Sequence, residues 1–300
     1  MKIVFIHGRS QENKVQAELQ DVWLQAAIRG VAAAGLASLP ELATASVVLP
    51  YYGNLLFQLT DEAGRAAFKT LVDRGADASA PPAEEQEFTQ KMIFEMAAAQ
   101  GITLDRIAAE SGETVVERDI QNWKAVLAAL RLLDKLPHIG QSSIELFTRD
   151  VWYYLTKKGL RLQIHAIVDA AIPRDEPCVV VSHSLGTIVA YNLLMNRSPR
   201  TNIKALITIG SPLGIESIWS RLPSDTSPRK APEGVGRWFN ARDPQDTVAL
   251  YEIAPTVYRG GPAVTNYSGV ANGSDNKHGI VQYLEDKVIA KAIHDAVTAP

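Results

Sequence analysis

The sequence lacks the features that mark secreted and membrane proteins. It has one cysteine, Cys178, so no disulfide can form within the chain. No apolar run is long enough to cross a bilayer, and the apolar stretch after Met1 is too short for a signal peptide. We therefore expect a reducing, cytoplasmic setting and no stable insertion into a membrane. Cys178 heads an apolar run and is expected to pack as a small hydrophobic side chain.

A strong charge and the motifs of nucleotide and metal binding are also lacking. The formal net charge of -3 at pH 7 gives no electrostatic reason to expect nucleic acid as a partner. There is no Gly-x-x-x-x-Gly-Lys loop, no Gly-x-Gly-x-x-Gly fingerprint and no His, Cys, Asp or Glu cluster with metal-ligand spacing. The sequence thus predicts no metal site and gives no support for a bound nucleotide.

Apolar runs of strand length alternate with longer amphipathic segments. The predicted strands lie at residues 2–6, 45–50, from 178, 205–209, 235–241 and 264–267. The predicted helices lie at residues 15–34, 88–99, 120–136, 144–172, from about 216, and 279–297; residues 222–236 are predicted to be a surface loop. This alternation predicts an α/β fold with a mostly parallel, doubly wound sheet.

The most informative segment surrounds Ser184. Apolar residues from Cys178 lead into Ser-His-Ser-Leu-Gly at residues 182–186, and an apolar, helix-like stretch follows. A strand, a turn of small residues and a helix make a nucleophile elbow, whose strained turn exposes the serine hydroxyl at the positive helix N-terminus. The usual pattern is Gly-x-Ser-x-Gly, and Ser182, which replaces the first glycine, is small enough to fit. Ser184 is therefore the candidate nucleophile.

A serine nucleophile needs a histidine base and a carboxylate, which follow it in the order acid, then base, on loops after later strands. Among six histidines, His278 alone follows a loop after the last predicted strand, which makes it the candidate base. The alternative is that His278 merely starts the closing helix. Asp243 and Asp246 both lie in the loop after residues 235–241. We favour Asp246 as the acid and keep Asp243, a turn-forming residue before proline, as the alternative acid.

An oxyanion that develops on a substrate needs backbone N–H donors. One candidate donor is Leu185, which directly follows the candidate nucleophile. The other is Arg9, in the His7-Gly8-Arg9 segment after the first strand. Taken alone, that segment is also compatible with an ordinary turn between a strand and a helix.

Five motifs follow one another along the chain: His7-Gly8, the elbow, Thr-Ile-Gly-Ser-Pro at 208–212, Asp-Pro-Gln-Asp-x-Val at 243–248, and His278. In this order they resemble the α/β-hydrolases, most closely the lipase-like and esterase-like members. The resemblance covers residues 1–53 and about 144–300 and implies an α/β-hydrolase core there. It also implies an enzyme that hydrolyses lipid-like or small acyl esters of carboxylic acids through an acyl-serine intermediate, without a cofactor.

Two other classes of function stay open. The same three residues would serve an amidase, a peptidase or a thioesterase, because the pocket selects the scissile bond. A non-catalytic binding module that keeps the hydrolase fold is the other alternative, although all three residue types in the right order argue against it.

Residues 54–143 carry almost no strand signal and are predicted to be a helical insertion. It leaves the core after a strand whose carboxyl end faces the candidate loops, so residues 55–140 are expected to cap the mouth of the site. Phe88, Met92 and Met96 are spaced four apart and form one apolar stripe on a helix. This stripe either contacts an acyl chain or packs the cap on the core.

Overall fold

A parallel sheet lies at the centre of the computed structural model, which describes residues 1–43, 46–60, 83–113, 123–136, 141–196, 202–222, 229–273 and 276–299. Every neighbouring pair of strands in this six-stranded sheet is parallel. In spatial order the strands are β2 (Val47–Val48), β1 (Lys2–Ile6), β3 (Cys178–His183), β4 (Ile203–Ile209), β6 (Trp238–Ala241) and β8 (Val264–Tyr267). Two short strands, β5 (Arg229–Lys230) and β7 (Tyr258–Arg259), pair separately. The predicted mixed α/β fold with a mostly parallel sheet is confirmed.

Eleven α-helices lie within the described residues. They are α1 (Gln16–Ala33), α2 (Gly53–Leu59), α3 (Ala83–Ala99), α4 (Leu104–Ser111), α5 (Trp123–Asp134), α6 (Gln141–Thr156), α7 (Lys158–Ala171), α8 (Leu185–Asn196), α9 (Glu216–Trp219), α10 (Ile280–Glu285) and α11 (Lys287–Thr298). None of these helices is long and apolar enough to cross a membrane.

Both faces of the sheet are buried, which explains why its strands read as continuous apolar runs. In β1, Val4 and Ile6 pack into one core cluster, and Ile3 and Phe5 pack into the other. Helices α1, α10 and α11 cover the Ile3 face, and α8 covers the opposite face. Since α8 is buried from Leu185 to Leu194, it is hydrophobic on all sides. Burial of each valine, leucine or isoleucine side chain of α8 stabilises the fold by roughly 1.5–3 kcal/mol.

Two helix predictions are wrong, because each predicted helix is two helices in the structure. The predicted helix at 279–297 is interrupted at Asp286, whose extended backbone ends α10 and whose Oδ1 accepts hydrogen bonds from the first N–H groups of α11. The predicted helix at 144–172 is interrupted at Lys157, which has ψ 89° and lies between α6 and α7. Helical periodicity continues across both breaks, so the apolar pattern does not reveal them.

Other boundaries also differ from the prediction. The loop predicted at 222–236 contains β5, and the helices α2 and α4 were not predicted. Within the range of the predicted insertion, α3 packs against α5 and α4 packs against α5. Within the predicted insertion, residues 61–82 and the first three residues (120–122) of the predicted helix at 120–136 lie outside the described residues.

The close contact between α1 and α10 gives a stability prediction. A Cβ on Gly30 would lie 2.2 Å from the carbonyl oxygen of Leu284, whereas a Cβ on the helical Gly159 would have no neighbour within 4 Å. We expect Gly30→Ala to lower the free energy of unfolding by about 1–3 kcal/mol through overpacking. The matched variant Gly159→Ala should be neutral or stabilise by roughly 0.5–1 kcal/mol. Urea denaturation of both variants checks this; equal effects would contradict the described packing.

Candidate active site

Ser184 lies in the turn between β3 and α8 with a positive φ of 57°, a strained conformation for a residue with a side chain. Its neighbours must be small because two strands converge there. A Cβ on Gly186 would lie 2.4 Å from the carbonyl oxygens of Ile6 and His7. A Cβ on Gly8 would lie 2.7 Å from the Cβ of Ser184. The elbow therefore requires glycine both after the serine and in the facing loop.

Ser182, at the position where a glycine is usual, is fully buried in β3. Its hydroxyl donates a hydrogen bond to the carbonyl oxygen of Ile207 in β4, at 3.4 Å. The side chain thus points along the sheet toward a neighbouring strand. Serine is accommodated here because its one polar atom has a partner.

Asp246 and His278 form a hydrogen-bonded pair. The Nδ1 of His278 is 2.7 Å from the Oδ2 of Asp246. Oδ1 of the same carboxylate accepts the N–H groups of Val248 and Ala249, at 2.8 and 3.3 Å. Asp246 is fully buried, and burial alone would raise its pKa. The neighbouring His278 and the donated hydrogen bonds outweigh burial and hold the pKa of Asp246 below its usual value.

Ser184 and His278 line one cavity. The Oγ of Ser184 and the Nε2 of His278 are both buried, and neither has a hydrogen-bond partner in the described part of the chain. The two atoms are therefore not joined by a hydrogen bond in this structure. An imidazole whose Nδ1 faces a carboxylate has its Nε2 available to accept a proton.

Asp243, the alternative acid, occupies a different position. Its Oδ1 accepts the N–H of Gln245 and its Oδ2 accepts the N–H of Asn272, both at 2.8 Å. These bonds close a turn and link it to the loop after β8. Of the two candidate acids, Asp246 is the one that the structure brings to His278.

Of the candidate oxyanion donors, Leu185 directly follows Ser184 in the chain, and Arg9 belongs to the loop after β1. Leu185 is the first residue of α8, and the first N–H groups of a helix have no partner within it. Arg9 and Gly8 line the same cavity as Ser184. The Nε of Arg9 donates to Asp150 in α6 at 3.0 Å, and Arg149 donates to the other oxygen of that carboxylate at 3.0 Å. A partly buried ion pair thus ties the loop after β1 to α6.

His7 fixes the start of that loop in one tautomer. The N–H of Tyr52 donates to the Nε2 of His7 at 3.1 Å, so Nδ1 carries the proton and donates to the carbonyl oxygen of Gly8 at 2.7 Å. The Tyr52 hydroxyl donates to the His7 carbonyl oxygen, and the two rings stack 4.0 Å apart. Burial lowers the pKa of His7 to about 4.

Sequence reasoning assigned no role to His183, which lies directly before Ser184. Its ring centroid is 4.5 Å from that of His278, and its Nε2 is 3.0 Å from the carbonyl oxygen of His278. Because a carbonyl oxygen can only accept, Nε2 of His183 carries the proton. Burial, followed by the neighbouring His278, holds the pKa of His183 well below its usual value. His183 therefore supports His278 as a neutral donor.

The cavity has a volume of about 300 Å³ and both polar and apolar walls. Its apolar wall is built by Trp23, Met96, Ile144, Phe147, Val248 and Ile280. Of the predicted apolar stripe, only Met96 lines this cavity. Met92 is fully buried and accepts a hydrogen bond from Ser217 at its sulfur, while the ring of Phe88 packs against Trp152.

Comparison with known proteins gave no match to a protein-family model, a curated protein or a solved structure. In the described residues, no group of three or more His, Cys, Asp or Glu side chains could hold a metal ion.

The neutral state of His7 predicts a stability change in mild acid. Histidine in the unfolded chain titrates near 6.5, and folded His7 near 4, so the unfolded state binds more protons between these values. The stabilisation is complete above pH 6.5 and is lost as the pH falls toward 4. Lowering the pH from 7 to 5 should reduce the free energy of unfolding in both proteins. We expect this reduction to be about 2 kcal/mol larger in the unmodified protein than in His7→Gln. Urea denaturation at both pH values checks this, and an identical loss in both proteins would contradict it.

Proposed function

We propose that this chain is a serine hydrolase of the α/β-hydrolase type that cleaves carboxylic esters through an acyl-serine intermediate. The observation that carries the proposal is the common cavity of Ser184 and His278. In this cavity, Ser184 has a strained backbone and a buried hydroxyl without a hydrogen-bond partner in the described residues. The Nε2 of His278 has no such partner either, and the Nδ1 of the same ring faces Asp246. The Ser184 hydroxyl oxygen and the His278 Nε2 are the atoms that nucleophilic acyl transfer uses.

In the proposed reaction, His278 Nε2 takes the proton of Ser184 as Oγ attacks the ester carbonyl carbon. The carbonyl oxygen becomes an oxyanion, which the N–H groups of Leu185 and Arg9 stabilise. Asp246 stabilises the imidazolium that forms. His278 then gives its proton to the leaving alkoxide, and an acyl-serine remains. Water repeats the sequence and releases the acid, so the reaction needs no cofactor.

The position of each residue in the fold supports the proposed family. Ser184 follows β3, Asp246 follows β6 and His278 follows β8, and all three strands are parallel. Ligands of open parallel sheets bind outside the carboxyl ends of the strands, where the strand order reverses. Here the order reverses between β1 and β3, and Gly8 and Ser184 follow these two strands.

We further propose that residues 54–143 cap the site of a core formed by 1–53 and 144–300. Met96 of α3 supports this role because it lines the cavity. Ile144 and Phe147 of α6, just beyond the insertion, line it as well. The mixture of apolar and polar side chains that line the cavity favours an ester of a lipid or of a small acyl group as substrate. The cytoplasmic setting stays a prediction from the sequence.

The proposal predicts the kinetics of variants. With 4-nitrophenyl esters of rising chain length, Ser184→Ala and His278→Ala should each lower kcat by roughly three or more orders of magnitude, with little change in KM. The double variant should be scarcely worse than either single one, because each change disables the same proton transfer. Wild-type rates in Ser184→Ala would refute the hydrolase.

The two aspartates provide the control for this series. Asp246→Asn should reduce kcat less than Ser184→Ala does, since the serine and imidazole remain. Asp243→Asn should affect mainly stability, because its carboxylate accepts hydrogen bonds from two backbone N–H groups that hold the turn. An anilide and a thioester of the same acyl group, run beside the esters, separate an esterase from an amidase or a thioesterase. Hydrolysis of the anilide or thioester in preference to the ester would overturn the choice of ester.

A second prediction concerns the acyl group. Met96 lines the cavity and Met92 is buried outside it. A polar side chain at position 96 should weaken contacts with long acyl chains, so Met96→Gln should lower kcat/KM about tenfold for long chains and little for acetate. Met92→Gln, the matched control, should lower the melting temperature and affect all chain lengths equally. Equal losses on all chains in Met96→Gln would show that this wall does not bind the acyl group.

A further inference from the structure

Tyr283 lies in α10, five residues after His278, and is fully buried. Its hydroxyl donates to the Oδ2 of Asp246 at 2.7 Å and accepts the N–H of Asp243 at 3.0 Å. The phenol thus uses both its donor and an acceptor site on the turn that carries Asp246.

The carboxylate of Asp246 receives four donors, and they divide evenly between its two oxygens. Oδ1 accepts two backbone N–H groups of its own loop. Oδ2 accepts His278 Nδ1 and the Tyr283 hydroxyl, each at 2.7 Å. The backbone donors hold one oxygen in place, and Tyr283 is the remaining group that fixes the direction of the oxygen facing the imidazole.

The bonds that close the turn do not involve Tyr283. Both oxygens of Asp243 accept backbone N–H groups, from Gln245 and from Asn272, and these bonds close the turn. In this turn, the Tyr283 hydroxyl oxygen accepts one hydrogen bond, from the N–H of Asp243. The hydroxyl proton is donated to Asp246. A packing role would require only the ring, which a phenylalanine also supplies.

We infer that Tyr283 is a positioning residue, which holds the Asp246 carboxylate in the orientation that fixes His278 for the reaction. This inference rests on the proposed hydrolase function. Burial and the nearby Asp246 raise the pKa of Tyr283 well above its usual value, so the hydroxyl remains a donor across the working range. A donated hydrogen bond spreads the charge of the carboxylate and weakens its attraction for the protonated imidazole.

Removing the hydroxyl has two expected effects. The carboxylate loses a fixed direction, so the imidazole is held less well and kcat falls. The negative charge of Asp246 is also no longer shared with the Tyr283 hydroxyl, so the imidazolium of His278 is more stable. The acidic limb of the pH profile therefore moves to higher pH. Among the described residues, His183, Asp243 and Arg9 also reach the Asp246–His278 pair or its cavity. His183 stays neutral, Asp243 accepts hydrogen bonds from backbone N–H groups, and Arg9 is paired with Asp150.

The test is Tyr283→Phe, assayed for Ser184-dependent ester hydrolysis from pH 5 to 9. We expect kcat to fall about tenfold at constant KM, and the acidic midpoint of kcat/KM to rise by roughly half a pH unit. Tyr191→Phe is the matched control, since its buried ring also carries a hydroxyl that donates to a carbonyl oxygen, that of Lys230, at 2.8 Å. Tyr191→Phe should leave both kcat and the midpoint unchanged.

Wild-type kcat and midpoint in Tyr283→Phe would overturn the inference, whatever its melting temperature. If Tyr283→Phe does not fold, 3-fluorotyrosine at position 283 keeps the ring and gives a stronger donor, so the midpoint should then move to lower pH. An unchanged midpoint with that residue also overturns the inference. Activity that survives Ser184→Ala marks failure of the hydrolase itself and is read separately from the Tyr283 result.

Discussion

The parallel pairing of β1 with β3 is the constraint on which the site depends. Ile6 pairs with Ser182, so the two strands end together and their following loops meet. The loops approach so closely that neither Gly8 nor Gly186 has room for a Cβ. The same contact brings Gly8 against Ser184, whose backbone has a positive φ. In the proposed reaction, substrate and oxyanion donors would meet the serine where these two loops are in contact.

A buried carboxylate is the second requirement, and it explains the polar side chains of this region. An isolated charge is costly to bury, so Asp246 is surrounded by four donors. His183 adds a neutral donor to the backbone of His278, and the two imidazole rings lie with their centroids 4.5 Å apart. Among the described residues, His278 is therefore the histidine of the cavity whose Nε2 has no hydrogen-bond partner.

The central strands could be predicted from the sequence because burial on both faces gives continuous apolar runs. Chain order and loop position also selected His278 and the segment with Asp243 and Asp246, and the structure places the Oδ2 of Asp246 2.7 Å from the Nδ1 of His278. The break at Asp286 could not be found by periodicity, since one side-chain cap decides it. His183 and Tyr283 were missed for another reason: their contacts join residues 95 and 37 positions apart, and a single sequence carries no record of such pairs.

The most direct measurement is mass spectrometry of the protein after reaction with a fluorophosphonate, which phosphonylates activated serines. The account predicts one phosphonyl group per chain, located at Ser184 after proteolysis and fragmentation, and no addition in His278→Ala on the same timescale. Addition at another residue, or none in a folded protein, would contradict the claim that Ser184 is a nucleophile activated by His278.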